Sequence, residues 1–224
     1  MFSKATYAGR RTQLKNQITE GLLLFLGNEE SGMNYTDNTY HFRQDSTFLY
    51  YFGLDKAGLA GLIDVASGEE WIVGEEITIE DVIWAGSQPT LQEQAERVGV
   101  AKTLSKSALE SKLKASLQTG QKIHFLPPYR PEHTLKLHYL TGYALAEIPQ
   151  KTSQEFIKAV INQRSYKTDE EIMELHSAVN ISGQMHLNAM RATRAGKYEY
   201  EIVGTVHGTA RSGGGDWPIL LSCL

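Results

Sequence analysis

The hydrophobic pattern of the chain is most regular between residues 166 and 196, where apolar positions recur at the spacing of a helix. The stripe consists of Ile172, Leu175, Val179, His186 and Met190, and it is widened by Ala178, Ile181, Met185 and Ala189. Thr168 and Glu171 have the spacing of a capping box, in which each side chain accepts a backbone N–H of the other residue. Acidic residues open this stretch and arginines close it, as the helix dipole favours. We therefore predict an amphipathic helix of about 24 residues, which would be ~36 Å long.

The opening of the chain predicts a helix followed by a buried strand. Residues 3–19 have helical spacing, and Gly21 ends the pattern. The predicted polar side carries Arg10, Arg11 and Lys15, and the predicted inner side carries Leu14 and Ile18. Residues 22–26 form a continuous apolar run between glycines, which is typical of a strand covered on both faces.

The next segment contains turn signals and a predicted hairpin. Residues 28–40 are polar and rich in turn formers, which indicates a loop. The second half of residues 41–53 is aromatic and therefore favours extended structure. Residues 58–65 and 71–73 predict two strands that return on one another through a turn.

Helical and extended patterns alternate through the middle of the chain. A short amphipathic turn is predicted over 79–86, helices over 90–97, 107–117 and 131–140, and strands over 99–104 and 123–126. Such alternation indicates an α/β domain with a mostly parallel or mixed sheet. A change in pattern near residues 146–152 predicts a domain boundary, with a first domain at 1–150 and a second, incomplete one at 151–224. In the second domain, further helices are predicted over 153–161 and from Tyr198 to about Ala210, and a strand over 219–221.

Composition narrows the class of protein. Of the 224 residues 41% are hydrophobic, which is enough for a core, and the net charge of −4 gives no basic excess for a nucleic-acid backbone. Cys223 is the only cysteine, so a cytoplasmic, reducing compartment is expected. No apolar run approaches the roughly 20 residues that span a bilayer, and the opening lacks the apolar core of a signal peptide, so no membrane association is expected.

Few residues point to chemistry by themselves. The histidines are His41, His124, His133, His138, His176, His186 and His207, and no two of them have the spacing of a zincin motif. Structural roles are therefore favoured for all of them. The adjacent Glu69 and Glu70 fall in the predicted hairpin turn, where a solvated position is expected.

One polar cluster, Arg43 to Asp45, precedes the aromatic segment. It allows two interpretations, an Arg–Asp pair that closes a loop or a contact to a substrate. Trp84 likewise could be a core residue or a site residue, and the core is the commoner place for a tryptophan.

Three stretches resemble a known family. The sequence H-F-R-Q-D-S-T-F-L-Y-Y-F-G-L at 41–54 resembles the signature of the N-terminal domain of aminopeptidase P and prolidase, and E-D-V-I-W-A-G at 80–86 resembles the next part of that domain. Residues 164–202 are similar to the opening of the catalytic "pita-bread" domain. The resemblance implies a creatinase-like N-terminal domain, a mixed sheet flanked by helices, followed by the first helices and strand of an incomplete α+β pita-bread domain.

The resemblance also implies an activity. Members of this family remove an N-terminal residue that precedes proline, and two divalent ions, usually manganese, activate the attacking water. Two aspartates, one histidine and two glutamates hold these ions in the family. The D-x-G motif that carries the first ligands is absent from this sequence. By the order of the family motifs all five ligands lie beyond Leu224, so we expect this chain alone to bind no metal pair and to be inactive.

The resemblance further implies partners and candidate residues. In the family the N-terminal domain caps the cleft and promotes dimers or tetramers, and the substrates are peptides with proline at the second position. Arg43, Asp45, Tyr50 and Trp84 are the candidates to line such a cleft. Two other functions are compatible with the sequence, a naturally short binding or assembly module without catalysis, and creatine or related amidinohydrolysis, which would also need downstream residues.

Overall fold

The computed structural model of the protein describes residues 1–215, and the chain divides into two compact units, Met1–Ser165 and Tyr166–Leu224. The helices are α1 (Lys4–Lys15), α2 (Ser46–Phe52), α3 (Ile79–Ala85), α4 (Leu91–Arg97), α5 (Lys106–Gln118), α6 (Pro131–Thr141), α7 (Gln154–Ser165), α8 (Asp169–Ala192) and α9 (Glu199–Ser212), with a 3₁₀ turn at Ile148–Lys151. The strands are β1 (Leu22–Leu26), β2 (Gly32–Tyr35), β3 (Asn38–Thr39), β4 (Ala60–Asp64), β5 (Glu70–Val73), β6 (Lys102–Leu104) and β7 (Ile123–His124).

A mixed five-stranded sheet organises the first unit. Its order is β6-β5-β4-β1-β7. The pairs β1–β4 and β4–β5 are antiparallel, and the pairs β1–β7 and β5–β6 are parallel. The predicted hairpin is the β4–β5 pair, and the predicted mixed sheet flanked by helices is confirmed.

Both faces of the sheet are covered by helices. Leu23 and Phe25 of β1 point into a core formed with α1, α2 and α7, whereas Leu22 and Leu24 point into a second core formed with α5 and α6. This alternation follows from the two-residue period of a strand. It explains why β1 is apolar at every position, as the sequence predicted.

The aromatic stretch after Asp45 forms α2, and the expectation of extended structure there is wrong. One carboxylate oxygen of Asp45 accepts from the backbone N–H groups of Thr47 and Phe48 at 2.9 and 2.8 Å and so caps the helix. At the other end Gly53 takes the left-handed conformation, with φ of 65°. Buried aromatic residues at helical spacing, Phe48 and Phe52 among them, then override the β propensity of the individual residues.

The polar side predicted for α1 is also wrong. Arg10 and Arg11 are 5% and 0% exposed, so both lie inside the first unit, and α1 ends at Lys15 rather than at residue 19. Leu14 and Ile18 are buried as predicted. The predicted loop at 28–40 contains the small hairpin β2–β3.

The second unit consists of a helical pair over its described residues. The long helix α8 has the predicted 24 residues, and the capping box is confirmed, with Thr168 N–H donating to Glu171 Oε2 at 2.8 Å and Glu171 N–H donating to Thr168 Oγ1 at 3.3 Å. It packs against α9 and is tied to it by Asn188 Nδ2, which donates to Thr209 Oγ1 at 3.0 Å. The predicted strand at 219–221 lies outside the described residues.

The predicted domain boundary at residue 150 stays a prediction. Helix α7 follows that boundary, and its Phe156, Ala159 and Val160 are part of the first unit's core. Within residues 1–215, no helix combines the length and apolar character that crossing a bilayer requires.

Candidate functional site

A small cavity lies at the carboxyl ends of the neighbouring parallel strands β1 and β7, where α/β sheets commonly carry their sites. Its volume is about 40 Å³. The polar lining residues are Asp45, Thr47, Tyr129 and His133, and the apolar ones are Leu24, Phe25, Leu26, Phe125, Leu126, Pro127, Pro128 and Leu137. The cavity is large enough for one or a few water molecules, or for the end of a small ligand group.

The buried amide of Gln44 fixes the backbone beside this cavity. Its Oε1 accepts from the N–H groups of Asn28 and Asp45 at 2.7 and 2.8 Å. Its Nε2 donates to the carbonyls of Lys56 and Leu54 at 2.7 and 3.3 Å. Gln44 therefore joins the segments that follow β1, precede α2 and follow α2. No role was predicted for Gln44 from its sequence pattern, although it lies inside the conspicuous H-F-R-Q-D stretch.

A second amide, that of Asn28, links the same region to the segment after β7. Asn28 Nδ2 donates to the carbonyl of Arg43 at 2.7 Å and to the hydroxyl of Tyr129 at 3.1 Å. Asn28 is 3% exposed, and both of these bonds are partly buried. The result is a rigid polar rim on which Asp45 and Tyr129 are held.

His133 is the titratable group most enclosed by this rim. It is 4% exposed, and its Nε2 lies 3.1 Å from the carbonyl oxygen of Gly27. Because a carbonyl only accepts, Nε2 carries the proton and donates. Burial lowers the pKa of His133, and this effect exceeds the opposing influences of the Gly27 carbonyl and the Asp45 carboxylate. His133 is therefore neutral near pH 7.

This shift predicts a pH-dependent stability. The folded pKa of His133 lies below that of the unfolded chain, so the unfolded state binds more protons in this range. The contribution of the neutral His133 side chain to the unfolding free energy is fully present above the unfolded pKa of about 6.5. It is lost as the pH falls through the folded pKa. We therefore expect the unfolding free energy of His133→Gln to fall less than that of the wild type when the pH is lowered from 7.5 to 5. This range brackets the unfolded histidine pKa of about 6.5.

Urea unfolding followed by circular dichroism at several pH values measures the difference. His41→Gln is the matched control, because His41 is exposed, and it should keep the wild-type pH dependence. Identical pH profiles for His133→Gln and the wild type would contradict the assignment of this pH-dependent stability to His133.

The structure places the four predicted cleft residues in different environments. Asp45 lines the cavity and caps α2, and Arg43 is exposed. Of the two interpretations of this cluster, the Arg–Asp pair is thus replaced by a capping interaction of Asp45. Tyr50 is half-buried, with the guanidinium groups of Arg10 and Arg164 lying 4.1 and 5.5 Å from its ring centre. Only Asp45 of the four belongs to the cavity lining.

Trp84 is 84% exposed, so the interpretation of this residue as part of the core is wrong. It lies on α3, which begins with a capping box between Thr78 and Asp81. Ile79 and Ile83 of the same short helix are 82% and 75% exposed. Helix α3 therefore presents an apolar surface to its surroundings, which is a feature of interaction sites.

Other titratable residues have structural partners. Glu70 is not solvated as predicted, since its Oε2 lies 2.7 Å from Arg11 Nε and its Oε1 lies 2.8 Å from Lys15 Nζ. His124 bonds through Nδ1 to the hydroxyl of Ser153 at 2.6 Å and through Nε2 to the carbonyl of Glu20 at 2.9 Å. Among residues 1–215, no group of three or more His, Cys, Asp or Glu side chains is arranged to hold a metal ion.

The α/β fold of this chain is found in solved structures of an aminopeptidase. The low-pH form of aminopeptidase P from Escherichia coli has this fold, with a TM-score of 0.78 and 22% identity over 96% of this chain and 50% of that one. A zinc-substituted form of the same enzyme in complex with product gives a TM-score of 0.77 over 95% of this chain and 50% of that one.

The sequence comparison identifies the family. Residues 7–125 match the family described as aminopeptidase P, N-terminal domain, and the chain belongs to that family. The resemblance of the motifs at 41–54 and 80–86 to that domain is thereby confirmed.

Curated relatives extend the similarity along most of the chain. Human Xaa-Pro dipeptidase is 26% identical over 183 residues, which are 81% of this chain and 36% of that protein. Xaa-Pro aminopeptidase of Escherichia coli K12 is 22% identical over an alignment of 237 positions, which covers 96% of this chain and 51% of that protein. The chain therefore spans about a third to a half of the length of these relatives.

Proposed function

We propose that this chain forms the N-terminal part of a Xaa-Pro peptidase, which hydrolyses the bond between an N-terminal residue and a following proline. The observation that carries the proposal is the extent of the similarity. The family match covers residues 7–125, and the likeness to Escherichia coli aminopeptidase P runs over 96% of the chain and hence into α8 and α9. Peptides with proline at the second position are the proposed substrates, and the cytoplasm is the proposed location.

The proposed chemistry is two-metal activation of water, with manganese as the proposed ion. Bound ions of this kind polarise the scissile carbonyl and lower the pKa of the attacking water. The residues present do not fit such a site, because the sequence lacks the D-x-G motif that supplies the first ligands in the family. We therefore assign the metal ligands to a catalytic half beyond these residues, and no catalytic step is assigned to the present chain.

The role proposed for the present chain is to cap the cleft and to support a dimer or tetramer. Arg43 and Trp84 are exposed, so their side chains are available to a neighbouring surface. Asp45 and Tyr50 are held by the α2 cap and by the flanking arginines, and they would shape the rim of the cleft rather than reach into it. The apolar surface of α3 supports the proposal of an oligomer contact.

We expect the purified chain to show no cleavage of an Xaa-Pro peptide when manganese is supplied. The assay follows release of the N-terminal residue, with Escherichia coli aminopeptidase P as the positive control in the same buffer. Metal content after gel filtration gives an independent readout, and less than one manganese per chain is expected. Cleavage at rates near those of the control, together with two manganese ions per chain, would refute the proposal that the metal ligands lie beyond these residues.

The capping role is tested in a hybrid enzyme, in which residues 1–165 of this chain replace the corresponding residues of Escherichia coli aminopeptidase P. Trp84→Ala in the hybrid should raise KM for an Xaa-Pro peptide several-fold, because an apolar contact near the substrate is lost. Tyr139→Ala, which removes a ring that is 72% exposed on α6, is the matched control and should leave KM unchanged. Equal effects of the two substitutions would exclude a cleft role for Trp84 while leaving the family assignment intact.

A further inference from the structure

The segment between β5 and α4 leaves the body of the first unit and returns to it close to where it left. Gly74 directly follows β5, and a Cβ atom added there would lie 2.8 Å from Leu59 Cδ2 and 2.9 Å from Cδ1 of Leu91, the first residue of α4. The end of the strand and the start of α4 are therefore in close contact. Residues 77–90 lie between them, contain α3 and are here called the α3 arm. Surface loops whose ends lie close together often carry functional residues.

The α3 arm is held at its ends rather than along its length. Residues 78–84 and 86–88 are exposed, whereas Ile77 and Pro89, at the two ends of the arm, are half-buried. The capping box of α3 and the backbone bonds of that helix fix the conformation within the arm. The placement of the arm on the first unit therefore depends on the contacts at its base.

Two side-chain hydrogen bonds close this base. Glu76, just before the arm, accepts through Oε2 from the backbone N–H of Leu91, just after it, at 3.3 Å. Gln94 Nε2 donates to the carbonyl of Pro89 at 2.9 Å. Gln94 is 7% exposed, so its amide would be left buried without this partner if the arm moved away. The first bond joins the two ends of the arm, and the second ties its returning end to α4.

We propose that Glu76 and Gln94 are positioning residues, which set where the α3 arm places Trp84. The inference rests on the proposed role of Trp84 at the substrate cleft. Trp84 is eight residues after Glu76 and seven before Leu91, so it lies near the middle of the arm and far along the chain from both anchors. A rotation at the base therefore displaces the indole ring. Glu76 and Gln94 act through Trp84 and are assigned no contact with the substrate.

Pulsed electron paramagnetic resonance measures the placement of the arm in the present chain. Spin labels are attached at Ile83→Cys and Tyr139→Cys in a Cys223→Ser background, because both labelled positions are exposed, at 75% and 72%. The distribution of distances between the two labels should be narrow in this reference protein. It should broaden or shift when Glu76→Ala or Gln94→Leu is added.

Matched variants separate loss of these bonds from general effects of substitution. Gln92 lies on the same helix as Gln94, but its Nε2 donates to the carbonyl of Ala101 at 3.2 Å, after α4 and away from the arm. Gln92→Leu should therefore leave the distance distribution unchanged. Glu76→Gln keeps an acceptor oxygen and should restore most of the narrow distribution that Glu76→Ala loses. A distribution that stays unchanged in both Glu76→Ala and Gln94→Leu overturns the proposal.

Kinetics of the hybrid enzyme test whether this placement serves the substrate. Gln94→Leu should raise KM for an Xaa-Pro peptide about 2- to 10-fold, the range that one lost hydrogen bond supports, and leave kcat near the wild-type value. In a Trp84→Ala background the same substitution should have no further effect, because it acts through the indole ring. A further rise of KM in that background, or an unchanged KM in the hybrid that keeps Trp84, overturns the positioning role.

The two proposals fail in different ways. A hybrid in which Trp84→Ala itself leaves KM unchanged refutes the cleft role of Trp84, and the distance distributions then decide by themselves whether Glu76 and Gln94 hold the arm. A hybrid in which Trp84→Ala raises KM while Gln94→Leu and Glu76→Ala do not keeps the cleft role and refutes the positioning residues.

Discussion

Replacing Arg11 with methionine should cost the first unit about 3–5 kcal/mol of unfolding free energy, because it breaks a buried charge cluster from one side. Arg11 is 0% exposed. Its Nε donates to Glu70 Oε2 at 2.7 Å, and its two terminal nitrogens donate to the carbonyls of Tyr51 and Val98 at 2.8 and 2.9 Å. The guanidinium thus joins α1 to the end of α2, to β5 and to the residue after α4. Methionine fills much of the volume but leaves two carbonyls and a carboxylate without this donor.

Urea unfolding monitored by circular dichroism gives the free-energy difference. Lys15→Met is the matched control, because Lys15 bonds to the same carboxylate from a more exposed position, and it should cost less than about 1 kcal/mol. Adding Glu70→Gln to Arg11→Met should recover part of the loss, since it removes a partly buried carboxylate that is left with Lys15 as its ionic partner after Arg11 is replaced. An Arg11→Met protein within about 1 kcal/mol of the wild type would show that the cluster contributes little.

The sequence misplaced Arg11 because the partners that bury it are distant along the chain. A helical pattern assigns charged residues to the solvent side unless a compensating group is known. Here the compensating groups are Tyr51, Glu70 and Val98, which lie 40, 59 and 87 residues further on. The same long-range pairing explains why Glu70 was expected in solvent. No local signal distinguishes such an arginine from an exposed one.

Elements whose signals are local could be predicted. The apolar runs of β1 and β4 and the capping box of α8 are properties of a few adjacent residues, and the structure has all three. Helix α2 was missed because its aromatic residues favour strands individually, whereas the Asp45 cap and the burial of Phe48 and Phe52 decide the conformation.

In the candidate site, too, the residue with a local sequence signal was predicted and the residues placed by long-range contacts were not. Asp45 was recognised, because it lies in a conspicuous motif, but its carboxylate caps a helix in addition to lining the cavity. Asn28, Gln44 and His133 complete the rim through bonds that reach across loops, and a buried amide carries no distinguishing pattern in a sequence. Trp84 was expected in the core from the average behaviour of tryptophan, and that average cannot identify a tryptophan that is 84% exposed.

Helix α7 provides a test of where the first domain ends, and Phe156 is its critical residue. Phe156 is 0% exposed, and its ring centre lies 5.0 Å from that of Phe25 on β1. Seven residues later, Gln163 accepts from the hydroxyl of Tyr51 at 3.1 Å and donates to the carbonyl of Arg10 at 2.9 Å. Phe156→Ala should therefore destabilise the first unit by about 3–5 kcal/mol. Ile161→Ala on the same helix, at a position 56% exposed, should have an effect below about 1 kcal/mol.

Two shortened polypeptides extend this test from one side chain to the whole helix. Residues 1–165 should unfold in a single cooperative transition, because they retain both halves of the core around Phe25. Residues 1–150 lack α7 and leave one side of that core open, so they should show a weaker or absent transition and bind a hydrophobic dye. Equal stability of the two polypeptides would place the boundary at residue 150, as the sequence predicts, and would mean that α7 is attached to the first domain without supporting it.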